Sequence, residues 1–352
     1  MRLIAATVTA VVVTTALTGA PAGAALVTHC IGTGGAVTVP NDLHVPAGES
    51  CDLTGTTITG NVSVAAGANL VIDGGRIDGE VRVAANGYLD ASSSTVGGVV
   101  VLAAGGYGLY LRQAETGSVT VRPKGTATID GFLFAEDTKI TGSVNAQAGE
   151  VRLEKGSEVS GGLSTTGTHY TDLHDSFVDG TLSVLNSSTG SVVCGSAVRG
   201  RSTFAGNLGG VQLGPNGALD GCASGGYFGR DVSVTNTTGG VWVDDTIIDG
   251  ALTVTSNNPV AKVAANNRIR GGVAGDTAAA AQRRAAPAGA AGAAGAAGAA
   301  GDNSAGATSD TSAGAARGNS AGAARGSEAE QRGEQRRTVA EQEAAAAGPA
   351  DL

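Results

Sequence analysis

Residues 60–75 read GNVSVAAGANLVIDGG, and residues 76–83, RIDGEVRV, begin the same phrase again. Val62 and Val64 alternate with polar neighbours, and Leu70 and Ile72 form a second aliphatic pair at the same spacing of two. Ile77 then stands two residues before the next glycine. Runs this short with a period of two describe strands that bury one face. The phrase Ile/Val-x-Gly recurs with its glycine at Gly60, Gly79, Gly98, Gly142, Gly161, Gly180, Gly200, Gly250 and Gly271. Gly117 keeps the glycine behind Glu115, and Arg230 holds the glycine slot of one further copy. Gly60, Gly79, Gly98 and Gly117 are 19 apart, and most later steps are 19 to 21. Two steps are longer, those ending at Gly142 and Arg230. A near-constant period with two local insertions means one structural turn per copy.

Three strands per turn, with corners of Gly, Asn and Asp, make an all-β, single-stranded parallel β-helix of about 19–20 residues per turn. From Asn41 to Gly271 the register gives eleven turns, a rod of roughly 50 Å at about 4.8 Å per layer. Val62, Val64, Leu70, Ile72 and Ile77 are expected to point inward. An amphipathic helix does not fit the period or the β-branched composition. A β-sandwich does not explain the constant internal phase. The spacing and the G-x-V-x-V…I-x-G phrasing resemble the right-handed parallel β-helix (pectin-lyase-like) superfamily over residues 30–274. The short valine-rich turns are also similar to the polymer-forming bactofilin-type β-helices. The first resemblance implies a polysaccharide lyase or hydrolase, with acids and bases from neighbouring turns on one flank. The second implies self-association into filaments.

Three segments follow from composition. Residues 1–24 read as a signal peptide: Arg2, an apolar run from Leu3 to Leu17, and small residues at Ala22-Gly23-Ala24. Residues 25–274 hold the β-helix. Residues 275–352 carry Val339 and Leu352 as their only branched aliphatics and are expected to be a disordered Ala/Gly-rich tail, with TVAEQEAAAA at 338–347 a marginal helix lacking an apolar face for a partner. The chain is therefore expected to be secreted, with no membrane span in its mature part. A net charge of −9 argues against nucleic acid as a partner. Five Phe, five Tyr and one Trp against 58 Gly fit narrow stacked layers rather than a bulky globular core.

Four cysteines in an exported chain favour Cys30–Cys51, one turn apart, and Cys194–Cys222, across the second insertion, over the other two pairings. Asp-Gly occurs at Asp73, Asp78, Asp130, Asp179, Asp220 and Asp249, a pattern expected of corners. THYTDLHD, residues 168–175, is the densest ionisable stretch, and His169, Asp172 and His174 are its candidate metal ligands. Alternation puts Asp172 and His174 on one face and His169 on the other. Trp242, flanked by inward Val241 and Val243, and Tyr110, flanked by Leu109 and Leu111, are expected to face outward. With Asp244 and Asp245 they form a candidate sugar-stacking set. No serine-protease, P-loop or dinucleotide motif occurs, no catalytic residue is assigned and no cofactor is expected. The sequence therefore points to a secreted, non-enzymatic surface or matrix-associated structural or binding protein, partnered with polysaccharide, a cell envelope or itself. The alternative is a pectin-lyase-like lyase or glycoside hydrolase.

Overall fold

The computed structural model describes residues 26–279 and 311–352, with side chains in the second stretch at 328 and from 330 onward. The proposed signal peptide and residues 280–310 lie outside the described residues. The chain winds into a parallel β-solenoid with three sheets of 13, 13 and 12 strands. That is twelve complete turns and a partial thirteenth, spanning roughly 58 Å at about 4.8 Å per layer. The winding starts one turn earlier than the repeat phrase does, at Val27–His29.

Register is in step throughout. In the first sheet Leu43, Val62, Val81, Val100 and Val119 stack as direct partners, and Leu70, Leu89 and Leu109 do the same in the second. Val62, Val64, Leu70, Ile72 and Ile77 are each no more than 1% exposed. Each such aliphatic contributes about 1.5–3 kcal/mol by leaving water. The core is one continuous column. Both long steps of the repeat are loops: residues 122–131 precede strand Phe132–Glu136, and residues 214–226 follow strand Gly210–Leu213.

The recurrent glycine has a steric reason. A Cβ on Gly79 would lie 2.5 Å from the Gly60 carbonyl oxygen, and one on Gly180 would lie 2.5 Å from that of Gly161. Each of these glycines also donates its N–H to that same carbonyl. The turns thus touch backbone to backbone at these glycines, where a Cβ has no room, while Arg230 takes the slot after the second insertion. At the corner after the second sheet the chain turns through positive φ at Ser93, Asp137, Asp175 and Asp245. The next residues, Ser94, Thr138, Ser176 and Thr246, are buried, and their hydroxyls donate to the carbonyl two residues back.

Both disulfides expected from the spacing are present, Cys30–Cys51 and Cys194–Cys222. The marginal helix expected at 338–347 is part of a longer one. Residues Thr311–Ala347 form one helix, α1, ended by Gly348 at φ 87°, a glycine C-cap. Ala340 and Ala344 are buried against the solenoid, whereas Val339 is 44% exposed. Beyond the helix, Gly348 and Ala350 bond to both backbone groups of Thr33, and Pro349 pairs with Thr33 as a β-bridge. Ala350 and Leu352 pack on the core there. The chain end therefore covers one of the three strand edges at the N-terminal end of the rod, a position that would otherwise expose unpaired backbone groups.

Candidate functional site

The outward side of the second sheet gathers most of the chemistry. Period-two alternation sends Thr171 and Leu173 into the core and leaves Tyr170, Asp172 and His174 on the outer flank. Parallel register then stacks equivalent positions of successive turns. One column runs Asp90, Tyr110, Phe134, Arg152, Asp172, Val192, Gln212 and Trp242.

The first half of this flank is an aromatic panel under α1. Phe132 and Phe134 stack with centroids 4.4 Å apart, Tyr110 meets Phe134 edge-on, and Tyr88 meets Tyr107 edge-on. Gly333 lies against the panel: a Cβ there would sit 3.0 Å from the Tyr110 ring. Polar groups fix the helix around this panel. Asp90, fully buried, faces Arg112 at 2.8 Å and Arg337 at 3.0 Å, while Tyr88 donates to it at 2.8 Å. Arg336 donates to Asn69 at 2.7 Å, and Ser50 donates to Glu343 at 2.6 Å. Tyr110 is therefore not a surface aromatic. It points away from the core as alternation requires, but α1 covers it to 2% exposure and its hydroxyl donates to Glu136.

Glu136 also accepts from Lys155 at 2.6 Å. Burial opposes its charge, but these two donors outweigh burial and hold its carboxyl below the usual range. A depressed carboxylate stabilises the fold above its unfolded pKa and loses that contribution as pH falls through the folded value. The stability gap between the parent and Glu136→Gln should be full above about pH 4.5 and shrink steadily below it. Urea midpoints between pH 7 and pH 3 check this; a gap that widens on acidification would contradict it.

The second half of the flank carries a charged cluster. His174 Nε2 lies 2.9 Å from Asp172 Oδ1 and 3.0 Å from Asp220 Oδ2. Asp220 comes from the loop at 214–226. That loop folds back over Tyr170 and Val192 and is tied down by Cys194–Cys222. Gln212 holds it from below: its Oε1 accepts from Leu219 and Asp220 N–H, and its Nε2 donates to the Gly214 and Asp220 carbonyls. Arg152 stands 3.6 Å from Asp172 Oδ2 and 3.2 Å from Glu154. Burial disfavours a charged His174 ring, yet bonding to Asp172 and Asp220 prevails and pushes its pKa up to about 10. Bonding from His174 lowers Asp220, and burial raises Glu154.

The other sequence candidates lie apart from this cluster. His169 sits at the corner before strand Tyr170–His174, exposed, with its ring against the Ser188 and Thr189 hydroxyls. It lines an open cleft of about 530 Å³ with Asp130, Glu150, Arg332 and Gln335. The set His169, Asp172 and His174 is thus not brought together, and Asp220 takes the third place. The insertion loop has no period to announce that placement. Trp242 is half-buried, its ring over Gly210 and Gly240, where added Cβ atoms would come within 2.8 Å and 2.6 Å of it. Asp244 is buried and accepts from Asn216, which latches the same loop, while Asp245 occupies the positive-φ corner. Trp242 is six strand layers from Tyr110, roughly 29 Å, so these four residues do not form one site.

No helix among the described residues is long and apolar enough to cross a membrane. No protein-family model, curated protein or solved structure matches the chain.

Proposed function

We propose that the protein is a secreted, non-enzymatic β-solenoid that acts through its surface, as a matrix- or envelope-associated structural or binding protein. One observation supports this most. The ionisable groups of its richest flank answer one another: Asp90 with Arg112 and Arg337, Glu136 with Lys155, and Asp172 and Asp220 with His174. The aromatic half of that flank is covered by the chain's own helix. Two disulfides fit an oxidising compartment. The test is co-sedimentation of the purified protein with insoluble acidic and neutral polysaccharides, run beside an assay for new reducing or unsaturated ends. Retention without product is the expected result. Release of product by the parent would contradict it.

A second reading, a polysaccharide-cleaving enzyme of the pectin-lyase-like kind, is favoured by the cluster itself. Glu154, raised by burial, and the lowered Asp220 share one flank with Arg152 and His174. Carboxyls pushed apart in this way suit an acid and a base. Turnover that disappears in Asp220→Asn would establish it.

A further inference from the structure

We infer that Asp172, His174 and Asp220 form a binding site for one divalent transition-metal ion of the zinc or cobalt type. One donor atom from each of Asp172, His174 and Asp220 lies within 4.8 Å of the other two, and His174 Nε2 is 2.9 Å from Asp172 Oδ1 and 3.0 Å from Asp220 Oδ2. Each carboxylate uses its other oxygen for a protein partner. Asp172 Oδ2 faces Arg152, and Asp220 Oδ1 accepts the Gly221 N–H at 2.6 Å. Both carboxylates thus turn one oxygen to a common point with their outer oxygens anchored, which is how metal-binding carboxylates are held.

An independent observation comes from Asp172. Its side chain is 2% exposed, and Oδ1, aimed at this point, has His174 Nε2 at 2.9 Å as its one polar partner and accepts no other hydrogen bond. The single Nε2 proton is shared between this oxygen and Asp220 Oδ2 at 3.0 Å. A buried carboxylate oxygen that must share one proton with a second acid is incompletely satisfied, at a cost. An ion bonded to it directly removes that cost.

The donor set selects the ion. One imidazole with two carboxylates suits zinc, cobalt or manganese; calcium takes six to eight oxygens. In a tetrahedral zinc site bonds of about 2.0–2.2 Å put donors about 3.3–3.5 Å apart. Nitrogen–oxygen spacings of 2.9 Å and 3.0 Å need only a few tenths of an ångström of widening. The Asp220 loop can give that much, while its disulfide and Gln212 keep it in place. The inference does not depend on either reading of function above.

The test uses the full, oxidised chain after chelator treatment. Zn²⁺ is titrated calorimetrically, and Co²⁺ is followed by its visible absorption. One ion per chain is expected, with affinity falling roughly 100-fold or more in His174→Ala and in Asp220→Asn, and unchanged in His44→Ala. The last variant breaks a close imidazole pair away from the site, His29 and His44, whose rings are 5.3 Å apart. Asp220→Asn keeps the size of the side chain, so it carries the comparison if His174→Ala fails to fold. Absence of saturable one-to-one binding by the parent overturns the inference. So does binding that survives the Asp220 substitution, which would leave the imidazole as a bridge between two acids and nothing more.

Discussion

Asp90→Ala should lower the stability of the protein by about 3 kcal/mol, at the low end of the range for breaking a buried charge pair. Asp90 is fully buried and is the shared acceptor of Arg112 and Arg337. Removing it leaves two guanidinium groups side by side, with side-chain exposures of 23% and 20%. Partial rehydration of both keeps the loss from being larger. Tyr88 and Ser92 lose an acceptor as well. Because Arg337 belongs to α1, the same change should loosen the helix. The check is a urea midpoint together with protease cleavage within residues 333–347. A variant as stable as the parent, with α1 still resistant, would mean that this pair does not hold the helix.

Gly180→Ala should cost about 3 kcal/mol, the upper part of what overpacking costs. The new Cβ would lie 2.5 Å from the Gly161 oxygen and 2.7 Å from the Gly162 nitrogen, both backbone atoms that side-chain rotation cannot clear. Relief requires separating two turns at the point where Gly180 N–H bonds to Gly161, at 2.9 Å. Gly35→Ala is the control: nothing lies within 4 Å of a Cβ there, so it should change stability by less than about 0.5 kcal/mol. Thermal midpoints of the two variants decide it, and equal midpoints would contradict the stacked-glycine corner.

The solenoid was legible because its determinants are periodic. Val62, Val81 and Val100 occupy one slot three times, so register, turn length and inward face all follow from a short stretch. The disulfides follow from the same arithmetic. The outward flank was only half legible. Alternation turned Tyr110 outward and put Asp172 and His174 on one face, but outward is not the same as exposed. The cover, α1, lacks the apolar stripe by which a docking helix is usually read. It packs with Ala340 and Ala344 and is held by Arg336, Arg337 and Glu343, residues that look like a solvated surface in sequence. Leu352, one of only two branched aliphatics of that stretch, reaches the core at the N-terminal end of the rod. Asp220 was hidden for a different reason. It lies 46 residues beyond His174 in a loop without repeat phase, and only the closure by Cys194–Cys222 and the grip of Gln212 bring it back.

The central claim is that the chain's own C-terminal helix closes the aromatic flank of the second sheet. Amide hydrogen exchange across residues 333–347 of the full-length protein tests it most directly. Slow exchange there, becoming fast in Asp90→Ala while strands of the first sheet stay protected, is the predicted result. Exchange at the unfolded-chain rate in the parent would contradict the account.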